Sequence, residues 1–154
     1  MGKKTHQSEF DNTLLPWMGK TMKLIDTYMA NRLAERNIDL TKVQLVLLKI
    51  LYSNDGQPQN DLALLTNRDK ASLARLIDTV ERKGLVVRVL SKDDKRIKYV
   101  HITKKGMEYY ERARPLLQEM IQDIQQGMSK RDIEFMIDKF KHMQLNLEQS
   151  LLVA

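Results

Sequence analysis

At Gly84 the sequence changes its period. Upstream, "DKASLARLIDTVERK" sets Leu73, Leu76, Ile77 and Val80 at three- and four-residue spacing, the pattern of a helix with one apolar face. Downstream, "LVVRVL" and "IKYVHIT" are β-branched runs of strand length, separated by the charged tip "SKDDKR". Glycine stops a helix at such a point because it enters the left-handed region without a Cβ clash. The middle of the chain must therefore build a helix that feeds straight into a two-stranded ribbon.

The flanks read as helices. Leu14, Met18, Met22, Ile25, Met29 and Leu33 predict one from Phe10 to Arg36. Thr41 with Gln44 makes a capping-box pattern for a second, ending near Tyr52. "SNDGQP" reads as a loop, and "QNDLALLTN" as a helix of two turns before the one that starts at Asp69. Thr103 should cap a helix to about Gln126, with Pro115 kinking or breaking it. Beyond Gly127, Ser129 and Asp132 open a last helix with Ile133, Met136, Ile137, Phe140, Met143 and Leu147 on one side. The expected fold is mainly α with a small β-ribbon, divided into 1–36, 37–105 and 106–154. The terminal stripes find no compact partner within the chain, so a second copy is the economical cover, with Phe10, Leu14, Leu117, Ile133, Ile137 and Phe140 at the interface. An ordinary intramolecular helical core is the alternative.

The net charge of +6 is localised. From Arg68 to Lys105 there are 12 Lys and Arg against 5 Asp and Glu, while the remainder holds 14 against 15. A clustered positive field suits a polyanion, whose condensed counterions are released on contact, although a solvated basic face would look the same in composition. The chain has no cysteine, which removes disulfides and thiol chemistry. It has no run approaching a membrane span, and "MGKKTHQSEFDN" reads as a plain flexible end without a leader's apolar segment, so no membrane partner and a cytoplasmic location are expected. No phosphate-binding glycine loop, GxSxG or HExxH is present, and His6, His101 and His142 lack ligand spacing. The expectation is a protein without enzymatic activity, metal or cofactor.

The two short helices form a helix-turn-helix candidate. At roughly 100° per residue, the face of the second helix opposite its apolar stripe presents Ala71, Arg75, Asp78 and Arg82, with Lys70, Ser72 and Ala74 at its start or flank. Small residues let the backbone approach a partner, Lys70 and Arg75 supply positive charge, and a helix N-terminus offers unsatisfied N–H groups to a phosphate. An α-helix entering a major groove needs that combination, though an alanine-rich helix can also be chosen for propensity alone. The ribbon tip, with Lys95 and Arg96, is narrow enough for a minor groove; Asp94 would hold the tip by accepting backbone or Arg96 donors.

"DKASLARLIDTVERKGLVVRVLSKDDKRIKYVHITKKG" resembles the winged helix-turn-helix of the MarR family of bacterial transcriptional regulators, continuously from about Asp55 to Gly106. The resemblance implies a homodimer that reads a double-stranded, palindromic DNA operator, acting as a repressor. It places Lys70, Ala71, Ser72, Ala74 and Arg75 at the major groove, Gln59 at the DNA backbone, and Lys95 and Arg96 on the wing with Asp94 as brace. Pro58 and Ala74 stand where the family commonly has hydroxyl residues, and Lys95 where it often has arginine. It further implies release by a small aromatic or anionic effector in a crevice for which Trp17, Tyr28, Tyr52, Tyr109 and Tyr110 are candidates; aromatics at helical spacing also serve as core. A winged helix used for protein interaction, or as a non-specific nucleic-acid binder, is the alternative.

Overall fold

The computed structural model describes residues 10–152. Six helices and three strands follow in the order α1 (Leu14–Glu35), α2 (Lys42–Ser53), β1 (Gln57–Pro58), α3 (Gln59–Leu65), α4 (Lys70–Arg82), β2 (Val86–Leu90), β3 (Lys98–Ile102), α5 (Lys104–Gln125) and α6 (Lys130–Leu152). The chain forms two compact units that divide after Leu117, within α5. His6 and the rest of residues 1–9 lie outside the described residues.

The first unit holds the core. Leu73, Ile77 and Val80 of α4 pack with Leu45, Leu47, Leu48 and Leu51 of α2, Leu62 of α3, Leu85, Val86 and Val100, all essentially inaccessible to solvent. Each such side chain contributes about 1.5–3 kcal/mol over an exposed position. The α2 capping box is present with both bonds: Thr41 Oγ1 accepts the Gln44 N–H, and Gln44 Oε1 accepts the Thr41 N–H. Helix α1 begins four residues later than its apolar stripe suggests, because residues 10–13 close a turn in which Thr13 donates to the Phe10 carbonyl.

The sheet is antiparallel in the order β1-β3-β2, with Arg88 opposite Val100 and Val89 opposite Tyr99. The two-residue β1 was read as loop. Its proline is tolerable on an edge strand, where one side of the ladder carries no pairing. Gly84, at φ +73, ends the α4 turn, and Thr103 then closes the corner. Its hydroxyl donates to the Gly84 carbonyl (2.7 Å) and accepts the Gly106 N–H (3.0 Å), capping α5.

Helix α5 runs through Pro115 to Gln125, so of the expected kink or break, the break does not occur. Glu111 and Pro115 are exposed, so the Glu111 carbonyl, deprived of its partner, can be hydrated. In the second unit, Ser129 and Asp132 cap α6 reciprocally: the Ser129 N–H donates to the Asp132 carboxylate (2.8 Å), and the Asp132 N–H to Ser129 Oγ (3.2 Å). None of the described α6 residues is buried.

Gly106 sits against the Leu85 carbonyl, where an added Cβ would lie 2.1 Å from the oxygen. Glycine to alanine inside a helix ordinarily stabilises by about 1 kcal/mol. Here overpacking reverses the sign: Gly106→Ala should cost about 1–3 kcal/mol, read as a lower urea midpoint. An unchanged midpoint would show that the contact between α5 and Leu85 yields.

Candidate nucleic-acid interface

Helix α4 starts at a constrained turn. Asn67 adopts φ +51, and the Arg68 N–H reaches back to the Ala63 carbonyl (2.9 Å), closing α3. Asp69 is the N-cap, its carboxylate accepting the Ser72 N–H at 2.8 Å. That bond, helped by the Ala71 N–H and by the charge of Arg75, holds the Asp69 carboxyl below the usual range. Lys70, Ala71 and Arg75 are exposed, Ser72 and Ala74 are half-buried, and Gln59 opens α3 half-buried with its Oε1 lacking a partner. The structure thus gathers five of the candidate residues on the first two turns of one helix.

The ribbon is fastened to that helix by Arg88. Its guanidinium meets Glu81 Oε2 at 2.5 Å and Asp78 Oδ1 at 2.6 Å, while its backbone N–H donates to Glu81 Oε1 at 2.9 Å. One glutamate therefore takes both the side chain and an N–H of the edge strand β2, which would otherwise be open to pairing. The Arg88 guanidinium, opposed by partial desolvation, holds Glu81 below the ordinary carboxylate range. Sequence reasoning missed this network; its only trace is a basic residue seven positions after an acidic one across the Gly84 stop.

The tip is pinned from within. Ser91 Oγ accepts the N–H groups of Asp93 and Asp94 (3.2 Å each), and Asp94 Oδ1 accepts the Arg96 N–H at 2.9 Å. These bonds leave the Lys95 and Arg96 side chains exposed. At the ribbon's other end, Asp55 accepts the Ile102 N–H (2.7 Å) and contacts His101 Nδ1 (3.1 Å). Burial would raise the Asp55 carboxyl, but these partners outweigh it and hold it low. Neither Ser91 nor Asp55 was singled out from sequence.

Four of the five acids between Arg68 and Lys105 are thus engaged locally: Asp69 at a helix N-terminus, Asp78 and Glu81 with Arg88, Asp94 with a backbone N–H. Among the described residues, Lys70, Lys95, Arg96 and Lys98 enter no salt bridge. This is a positive surface without internal neutralisation.

The five crevice candidates have these surroundings. Tyr52 and Tyr110 have ring centroids 4.6 Å apart, and the Tyr52 hydroxyl donates to Glu111 (2.9 Å). Tyr109 lies between Lys105 and Arg112, Tyr28 beside Arg32, and Trp17 beside Lys20. Neither the groove of about 810 Å³ between α1 and the start of α2 nor the cleft of about 220 Å³ between α3 and the ribbon is lined by any of them. Of the interface candidates, Phe10, Leu14, Ile137 and Phe140 are exposed, and Leu117 and Ile133 half-buried. Among the described residues no group of three or more acids and histidines could hold a metal ion, and no helix is long and apolar enough to cross a membrane.

The sequence model of the MarR family matches residues 40–98, from the start of α2 into β3. An uncharacterized HTH-type transcriptional regulator, YdgJ of Bacillus subtilis, is 29% identical over 70% of this chain and 66% of its own length. The homoprotocatechuate degradative operon repressor of Escherichia coli is 31% identical over 56% of this chain and 59% of its own. The chain thus spans less than two thirds of the length of these two relatives. Among solved structures, S. aureus MepR in its DNA complex superposes with a TM-score of 0.82 at 25% identity, covering 87% of this chain and 98% of that one.

Glu81 gives a pH test. Its carboxyl lies lower in the folded protein than in the unfolded chain, so its stabilisation is complete above the ordinary glutamate range and is lost as pH falls through the folded value. Arg88→Met should lower the urea midpoint at neutral pH and flatten its fall in acid. Parallel curves for the two proteins would show that the pair contributes nothing.

Proposed function

We propose that the chain is a member of the MarR family, whose model matches residues 40–98, and that it is a homodimeric, sequence-specific double-stranded DNA-binding regulator, acting as a repressor that occludes a promoter. The observation that carries this reading is the unneutralised positive surface built from α4 and the ribbon tip. Lys70, Ala71, Ser72, Ala74 and Arg75 enter the major groove, Arg96 and Lys95 reach the adjacent minor groove, and Gln59 meets the sugar-phosphate backbone. Asp94 holds the tip in shape. The E. coli relative is a repressor by name and MepR was solved with DNA, which supports the same mode here.

In this reading residues 1–36 and 106–154 serve dimerisation, through Phe10, Leu14, Leu117, Ile133, Ile137 and Phe140, and 37–105 read DNA. Two copies address half-sites of a palindrome about one helical turn apart. The protein works in the cytoplasm as a regulator, not an enzyme. A small aromatic or anionic effector changes the spacing of the two reading heads. The groove lined by Leu33, Ile38, Leu40 and Val43, with Lys42 at its edge, offers such a molecule both apolar walls and a cation.

Selection from a random duplex pool tests the function. A recovered palindrome supports it; retention of all duplexes alike, with a steep salt dependence, would make the protein a general nucleic-acid binder, and retention of none would favour a protein-interaction module. Arg75→Ala should weaken the selected duplex by about 1–3 kcal/mol and relax one position of each half-site. Arg96→Ala should weaken binding while sedimentation still shows a dimer.

A further inference from the structure

Arg68 lies in the turn before the reading helix, and neither the charge argument nor the groove assignment gives it a task. Its Nη1 donates to Ser72 Oγ at 2.8 Å, four residues on and partly buried. Its backbone is fixed by the bond to the Ala63 carbonyl, just after left-handed Asn67, so the guanidinium is held where it is. No carboxylate forms a salt bridge with it among the described residues.

The direction of this bond is dictated by chemistry. A guanidinium has only donors, whereas a serine hydroxyl has one proton and two lone pairs and can face a partner either way. Arg68 occupies one of the two lone pairs, and its positive charge disfavours a second donor at the same oxygen, so the hydroxyl proton turned away from it is the group best placed to meet a partner. A charge-assisted bond also polarises the O–H and strengthens it as a donor. Mid-helix serines often spend that proton on the carbonyl four residues earlier. No such bond is formed here, while Thr66 and Thr79 do make theirs, to Leu62 and Arg75. Ser72 therefore keeps an unspent donor on the first turn of α4, between exposed Ala71 and the Arg75 turn.

We propose that Arg68 is a specificity-determining residue: it sets Ser72 as a hydrogen-bond donor, so that α4 selects a base presenting a major-groove acceptor. Those acceptors are guanine O6 and N7, adenine N7 and thymine O4; cytosine offers only its amino donor at that edge. The proposal rests on the DNA-reading function above and adds a residue and a chemical preference to it. Arg68 acts through Ser72 and need not touch the base.

The test uses the full-length protein and the duplex selected from the random pool, with every base pair of a half-site substituted in turn. Ser72→Ala should reduce discrimination at one position by about three- to tenfold, the worth of one hydrogen bond. Arg68→Ala should reduce it at the same position, and the double variant by no more than the larger single loss. Arg68→Lys, which keeps a donor, should retain part of the preference. Equal weakening by Arg68→Ala on selected and random duplexes, with base preferences intact, would make Arg68 a phosphate contact and overturn the proposal. Losses at different positions, or fully multiplying losses in the double variant, would overturn it as well. A wild-type protein without any base preference would overturn the DNA-reading function first; a normal palindrome with Ser72→Ala indifferent at every position removes only the present inference.

Discussion

Arg88 decides whether the ribbon and the helix are one rigid body or two. A two-stranded ribbon is marginal by itself in water, and here its third strand is only two residues long. What stiffens it is a charge-assisted clamp: one guanidinium against two carboxylates a helical turn apart on α4, with the same glutamate taking the neighbouring N–H. The guanidinium is about one quarter exposed, which keeps the clamp better shielded from salt than a fully solvated pair while sparing it the desolvation cost of full burial. The consequence is geometric. The tip residues Lys95 and Arg96 lie at the far end of a lever whose base moves only if α4 moves with it.

The same interaction explains why acids sit on the face of a helix meant for a polyanion. Asp78 shares that exposed face with Arg75, and alone it would repel phosphate. Its charge is partly offset by Arg88, which it shares with Glu81. Asp69 and Asp94 are spent in the same way, one on the α4 N-terminus and one on the bend of the tip. Four of the five acids near the contact surface are local structural parts, and the positive groups at the α4 start and the tip are left out of salt bridges.

What could be read from the chain beforehand follows the range of the interaction. The Thr41–Gln44 and Ser129–Asp132 caps, the Gly84 stop and the two faces of α4 are set by residues within one turn of each other, so spacing alone revealed them. Strand β1 was invisible because nothing in "QP" makes a strand; pairing with Tyr99 and Val100 does. Whether Pro115 kinks or breaks its helix was left open, because its cost depends on whether the freed carbonyl can be hydrated, which is a matter of exposure. The aromatic residues were grouped by type, while the fold pairs Tyr52 with Tyr110 and sets Trp17 and Tyr28 beside cations of their own helix. Arg88 and Arg68 looked like two more cations in a basic stretch; only the fold shows that one is a clamp and the other faces a serine.

That distinction changes what the charge of the middle segment means. A face that merely keeps a protein in solution gains nothing by freeing its cations, and mixed ion pairs would serve it as well. Pairing each cation internally would also blunt binding, since a phosphate would first have to displace a carboxylate. Here Arg88 is consumed by Asp78 and Glu81, while Lys70, Lys95, Arg96 and Lys98 stay out of salt bridges among the described residues. A phosphate arriving at any of these four meets a solvated cation with no protein partner to displace, so the release of its own counterions is retained in full as binding free energy. The arrangement of the acids, more than the number of bases, is therefore what marks this surface as a site for a polyanion.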